Sequence, residues 1–132
     1  MKAPPKIGDA AEIEFVVGAE HLIDCSDGQM AAVLSTPCLI GFLERAARKA
    51  LAPVLDAGEQ SVGVHVDVRH LAATPPGQRV VCVARVIHAD GKEVSFQVEA
   101  RDEQELIARG LHKRRVVLAE RFTARVRRKQ TG

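Results

Sequence analysis

The chain has no tryptophan and no tyrosine, and four phenylalanines are its whole aromatic complement. Its core must therefore be aliphatic, built from Val, Leu, Ile and Ala. The same scarcity bears on the C-terminal "RFTARVRRKQTG", where no aromatic platform accompanies the basic residues, so a solvated tail accounts for them better than an RNA-binding surface. Charge of one sign is also scarce: a net +2 over 132 residues is too small an excess to imply a nucleic-acid or membrane partner. Cys25, Cys38 and Cys82 are widely separated and odd in number. With no CxxC pair and no Cys/His cluster at zinc spacing, neither a disulfide framework nor a metal site is expected. No run of about 18 apolar residues occurs, and "MKAPPKIGDA" lacks the apolar stretch of a signal peptide. A reducing cytoplasm is the expected location. What is present, 46% hydrophobic and 27% charged residues, suits a single globular domain over residues 1–132.

The periodicity changes once along the chain. "AAEIEFVV" (10–17) alternates as a first strand, with Ile13, Phe15 and Val17 on one face. A polar connection with Gly18, Asp24, Ser26 and Gly28 leads to the only long helical pattern, "TPCLIGFLERAARKALAPVL". Pro37 suits the first helical position and Thr36 the N-cap. Leu39, Leu43, Ala46, Ala47, Ala50, Leu51 and Val54 recur at helical spacing. From there the period is two: residues 61–70, 78–89, 92–101 and 105–118 read as strands, joined by the short turns "TPPG", "ADG" and "DEQ". The last three strands should form an antiparallel meander. Leu118, Phe122 and Val126, four apart, predict a short terminal helix. One strand, one long helix and four antiparallel strands make an α+β layer with the sheet wrapped on the helix. The helix covers only part of such a sheet, and Gly41, Ala46 and Ala47 are small, so burial by a second copy, a dimer, is expected.

Three places carry possible chemistry. In "HVDVRHLAATPPG" alternation puts Val64, Val66, Val68 and His70 on one face, ending a valine row with an imidazole. Such a histidine is either a half-buried, hydrogen-bonded strand end or an acid–base group at a cleft. Leu106, Ala108, Gly110, His112, Arg114, Val116 and Leu118 share a face of the last strand; a twist or bulge would bring Arg114 out to solvent, and otherwise it needs a buried partner. Glu44, mid-helix, either pairs with Arg48 at i+4 or turns toward the cleft as a base or nucleophile. Thr36 lies about 12 Å from it along the axis and about 80° around it. Capping alone would explain Thr36, although a helix N-terminus also suits a developing oxyanion.

Taken together, "VLSTPCLIGFLERAARKALAPVLDAGEQSVG", "VRHLAATPPG" and "GLHKRRVVLAERFTARVR" resemble the hotdog-fold acyl-CoA thioesterases, most closely the fluoroacetyl-CoA thioesterase group. The similarity runs in register from about Ile7 to Arg128. It implies a hotdog fold, an antiparallel sheet wrapped around one long central helix, working as a homodimer or higher oligomer. It also implies hydrolysis of an acyl-CoA at a cleft between subunits, with no metal and no cofactor beyond the coenzyme A of the substrate. The catalytic residues of the group match Thr36, Glu44 and His70; Gly63 matches a glycine beside the thioester and Arg114 an arginine near the active site. The fluoroacetyl-specific enzyme carries Phe residues on a longer lid, whereas "GAEHLIDCSDGQMAAVLS" is shorter, holds no aromatic residue and places Met30 near the gate. That difference points away from fluoroacetyl-CoA as substrate. A hotdog hydratase or dehydratase would need the histidine and the acid but not Thr36, and a non-catalytic acyl-CoA-binding module would need only the cleft.

Overall fold

A computed structural model describes residues 1–23 and 28–132; Asp24, Cys25 and Ser26 lie outside the described residues. The elements are β1 (Ala10–Val16), α1 (Thr36–Leu51), β2 (Glu59–His70), β3 (Arg79–Asp90), β4 (Glu93–Arg101), β5 (Leu106–Leu118) and α2 (Ala119–Thr131). The five strands form one antiparallel sheet in the order β1-β3-β4-β5-β2. The predicted meander is β3-β4-β5; the turn between β3 and β4 needs Gly91 at φ +60°, a conformation glycine adopts without a steric penalty. β2 returns to the far side of β5 and is an edge strand. The segment 71–78 then crosses one end of the sheet, pinned by Thr74, which is fully buried and donates to the Asp102 carboxylate at 2.9 Å.

The helix begins one cap earlier than its pattern predicts. Ser35, not Thr36, is the N-cap, its hydroxyl accepting the Cys38 backbone N–H at 3.3 Å, with Pro37 in the first turn. Either hydroxyl could cap; the outcome leaves the Thr36 side chain free for other work. At the other end α1 stops at Leu51, short of the predicted 55, because Pro53 can neither donate to nor fit within a continuing α-helix, and a single 3₁₀ turn (Ala52–Val54) follows.

Leu39, Leu43, Ala46, Ala47 and Leu51 pack on Val80, Cys82, Ala84, Val94, Phe96 and Val98 of the sheet, an aliphatic core with one phenylalanine. Ala46 and Ala47 are fully buried by the chain's own sheet, so they do not call for a second copy. Their small side chains let α1 lie close over β1 and β3, its main neighbours. β2 is consequently left at the margin of the helix's cover: Val64 and Val66 remain 49% and 41% exposed, against the buried valine row the alternation predicted. The terminal helix α2 forms as expected but buries none of its residues.

The alternation along β2 is also broken. Its pairing with β5 shifts register between Gly63 and His65, a β-bulge. Ser61 and Gly63 stand opposite Val116 and Arg114, whereas Val66, Val68 and His70 stand opposite His112, Gly110 and Ala108. All five are thereby on the face that β5 shares with the helix, since directly opposed residues point the same way. Simple alternation would put Gly63 and His70, seven residues apart, on opposite faces. The bulge puts them on one.

Candidate active site

The N-terminus of α1 meets the end of β2, where Thr36 Oγ1 and His70 Nδ1 lie 2.8 Å apart. With the threonine hydroxyl donating, the neutral imidazole carries its proton on Nε2. That nitrogen is buried and makes no hydrogen bond among the described residues. The pair opens on a cleft of about 320 Å³ walled by Ile23, Val33, Leu34, Leu71 and Ala72. No aromatic side chain lines it among the described residues. With Nδ1 engaged by Thr36, a proton is exchanged with a group in the cleft through Nε2, once that group reaches past the atoms covering it.

A second group sits further along the same helix. Glu44 does not pair with Arg48: its carboxylate is 3.6 Å from Arg114 Nη1, on the sheet. Arg114 is only 6% exposed, so β5 does not bring it out to solvent. Its guanidinium is held on three sides, with Nε donating to Ser61 Oγ (2.9 Å), Nη2 to the Ser61 carbonyl (2.9 Å) and Nη1 to His112 Nε2 (3.3 Å). Burial pulls the Arg114 pKa below its ordinary value, and the Glu44 charge pushes it back up. Gly63 gives the carboxylate its room, since a Cβ there would overlap Glu44 Oε2. Glu44 keeps 39% of its side chain exposed, open to a ligand from the solvent side.

His112, at 1% exposure, completes this group. Its Nδ1 is 2.8 Å from the His65 carbonyl, which can only accept, and its Nε2 faces an arginine N–H, which can only donate. Both contacts are met by the neutral ring protonated on Nδ1. Burial lowers the His112 pKa, and the Arg114 charge acts in the same direction against the bond to His65. The 4.0 Å approach of Nε2 to Glu44 is therefore no ion pair.

Thr36 and His70 are thus brought together, as are Glu44, Gly63 and Arg114, and the two groups are about 12 Å apart along α1. The Glu44 carboxylate lies at Gly63, seven residues before His70 on the extended β2, so within one protomer it is not beside His70. Met30 does not join either group: it is 72% exposed and is not among the cleft's lining residues. His112 has no role in the sequence pattern beyond being a second polar group on the apolar face that carries Arg114. Among the described residues no group of three His, Cys, Asp or Glu could hold a metal ion. No helix is long and apolar enough to cross a membrane.

A family model described as fluoroacetyl-CoA-specific thioesterase matches residues 17–120, a span that includes Thr36, Glu44, Gly63, His70 and Arg114. The chain belongs to this family. It is an acyl-CoA thioesterase of the hotdog fold. A fluoroacetyl-CoA thioesterase from Streptantibioticus cattleyicolor is 36% identical over 135 residues, covering 98% of this chain and 97% of the relative. A solved structure of a fluoroacetyl-CoA thioesterase superposes with a TM-score of 0.88 at 33% identity, over 94% of this chain and 96% of that one. A Thermus thermophilus member of the thioesterase superfamily gives a TM-score of 0.90 at 33% identity, over 97% and 95% of the two chains. A hot-dog-like protein from Thermanaerovibrio acidaminovorans, 24% identical with a TM-score of 0.85 over 93% and 91%, shares the fold.

Proposed function

We propose that this member of the family hydrolyses a short aliphatic acyl-CoA to the free acid and coenzyme A, with Thr36, Glu44 and His70 as its catalytic residues. The observation that carries the reading is the 2.8 Å bond between Thr36 and His70 at the mouth of an aliphatic cleft, on the helix that also presents Glu44. Glu44, beside the Arg114 guanidinium, is a carboxylate able either to take a proton from the attacking water or to attack the thioester carbonyl itself. His70 Nε2–H then hydrogen-bonds the departing thiolate, whose proton is supplied in the end by the water that hydrolyses the thioester. Thr36 fixes the ring and its tautomer rather than orienting Glu44, since its hydroxyl is engaged with His70. Arg114 stands beside the Glu44 carboxylate, and Gly63 leaves space for it.

The cleft walls of Ile23, Val33, Leu34 and Leu71 favour an aliphatic acyl group over fluoroacetyl, which gains little from apolar surface. The working form is a homodimer in the cytoplasm. Support for a partner comes from β2, an edge strand of 12 residues with exposed Val64 and Val66, which offers an unpaired backbone rim and apolar surface to a second copy. Thiol release over a panel of short, branched, aromatic and long acyl-CoAs tests the reading, with turnover expected for short aliphatic chains. Loss of enoyl absorbance without thiol release would make the protein a hydratase. Binding across the panel without hydrolysis would make it a non-catalytic module.

A further inference from the structure

We propose that His112 is a positioning residue of the hydrolytic site: its neutral ring ties the β2 bulge to Arg114 and so aims the guanidinium at Glu44. The inference rests on the reading that Glu44 and Arg114 belong to that site. Ser61 holds Nε and Nη2 of Arg114, both on one edge of the rigid planar guanidinium, which leaves only a tilt of the plane about that edge, felt most at Nη1, to be set by something else. The acceptor there is His112 Nε2 at 3.3 Å, and Glu44 lies slightly further, at 3.6 Å. The direction of Nη1 is therefore decided on the buried side, before the half-exposed carboxylate is engaged.

The other ring nitrogen works on the backbone. A bulge disturbs the ladder locally, and the His65 carbonyl beside it accepts from His112 Nδ1–H at 2.8 Å. The bulge is what turns Gly63 to the face of Glu44. One side chain thus supports both the glycine that makes room for the carboxylate and the cation that holds it. Few residue types could do this. A cationic side chain would face Arg114 with like charge, and an aliphatic one would take the acceptor from Arg114 Nη1 and the donor from the His65 carbonyl, at a cost in stability. The ring is itself fixed between strands, its centroid 6.4 Å from that of Phe96.

The two halves of this role separate by substitution. His112→Gln keeps an acceptor near the Nε2 position and gives up the bond to His65; His112→Asn keeps a donor near Nδ1 and gives up the bond to Arg114. The expected result is a crossed pattern. His112→Gln melts at lower temperature but keeps kcat within about 5-fold. His112→Asn melts closer to the unmutated protein, yet loses about 10²-fold in kcat, the scale of a 1 Å misplacement, with KM changed less than about 3-fold. In a Glu44→Gln background, His112→Asn should cost nothing further. A merely structural histidine would lower kcat in step with melting temperature in both variants, and that outcome overturns the proposal while leaving the thioesterase reading intact. Full activity of Glu44→Gln would overturn the reading itself and the proposal with it. Should His112→Asn fail to fold, ¹⁵N spectra of the unmutated protein decide: the proposal requires His112 protonated on Nδ1 and bare on Nε2, and the opposite tautomer contradicts it.

Discussion

Replacing Gly63 by alanine adds one methyl group at the point where the helix and the sheet converge on a carboxylate. The new Cβ would overlap Glu44 Oε2 and lie 3.1 Å from His112 Cε1 and 3.6 Å from Arg114 Nη1. The histidine is locked and the arginine is held by Ser61, so Glu44, with 39% of its side chain exposed, is the group that gives way. Relieving the overlap takes a displacement of roughly 1 Å, a misplacement that costs about 10²-fold in rate, or about 2.7 kcal/mol of barrier. Folding should suffer far less, because the moving group swings into solvent and Gly63 is not in a left-handed conformation. The assay is thiol release, giving kcat/KM for Gly63→Ala, Glu44→Gln and the double variant, with melting curves alongside. Acting through Glu44, the methyl group should cost less than about 3-fold once Glu44→Gln is present, the non-additivity expected of touching residues. Equal losses in both backgrounds, or full activity of Gly63→Ala, would refute the account of this corner of the site.

His70→Ala should lower thioester hydrolysis by at least ~10²-fold, the usual scale for losing a general acid or base; a folded variant with unchanged turnover would return His70 to a merely structural place. Thr36→Ala should follow it, whereas Thr36→Ser, which keeps the hydroxyl, should lose less than about 10-fold; equal damage from both would show that the methyl group matters and the hydrogen bond does not. Stability should depend on pH through His112. Burial holds its folded pKa below the ordinary 6.5, so beneath that pH the unfolded chain binds more protons, and stability falls as pH drops from about 6.5 through the folded value. Melting midpoints from pH 7.5 to 5 should show this slope flattened in His112→Gln, and identical slopes would contradict it. Sedimentation should find a dimer at micromolar concentration, and an active, stable monomer would argue against pairing along β2.

Much of the fold is legible in the sequence because local signals agree. The switch from a period of about 3.6 to one of two after Leu55, and the turn residues between strands, mark the five strands and both α-helices to within a few positions, but not the 3₁₀ turns. What local pattern cannot settle is the competition between equals and the pairing between distant strands. Ser35 and Thr36 are adjacent hydroxyls of similar capping strength, and only the presence of His70, 34 residues on, separates their uses. The valine alternation continues through residues 62–68 without a break in sequence, so the bulge there, and the shared face of Gly63 and His70 that it creates, appears only in register with β5. Arg114 stands out in sequence as a cation on an apolar face, but its partner Ser61 is 53 residues away. Chain position alone places Met30 near the gate, whereas the connection holds Val33 and Leu34 against the cleft and leaves Met30 72% exposed.

Glu44 and the Thr36–His70 pair are proposed together as the groups that cleave the thioester. The most direct test of that assignment is release of free coenzyme A from a series of short aliphatic acyl-CoAs by the unmutated protein and by Glu44→Gln, which keeps the shape of the side chain and removes its charge. The unmutated protein should turn over, and the folded variant should lose at least ~10²-fold. Full activity of Glu44→Gln, or no thiol release by the folded unmutated protein across the series, would contradict the assignment.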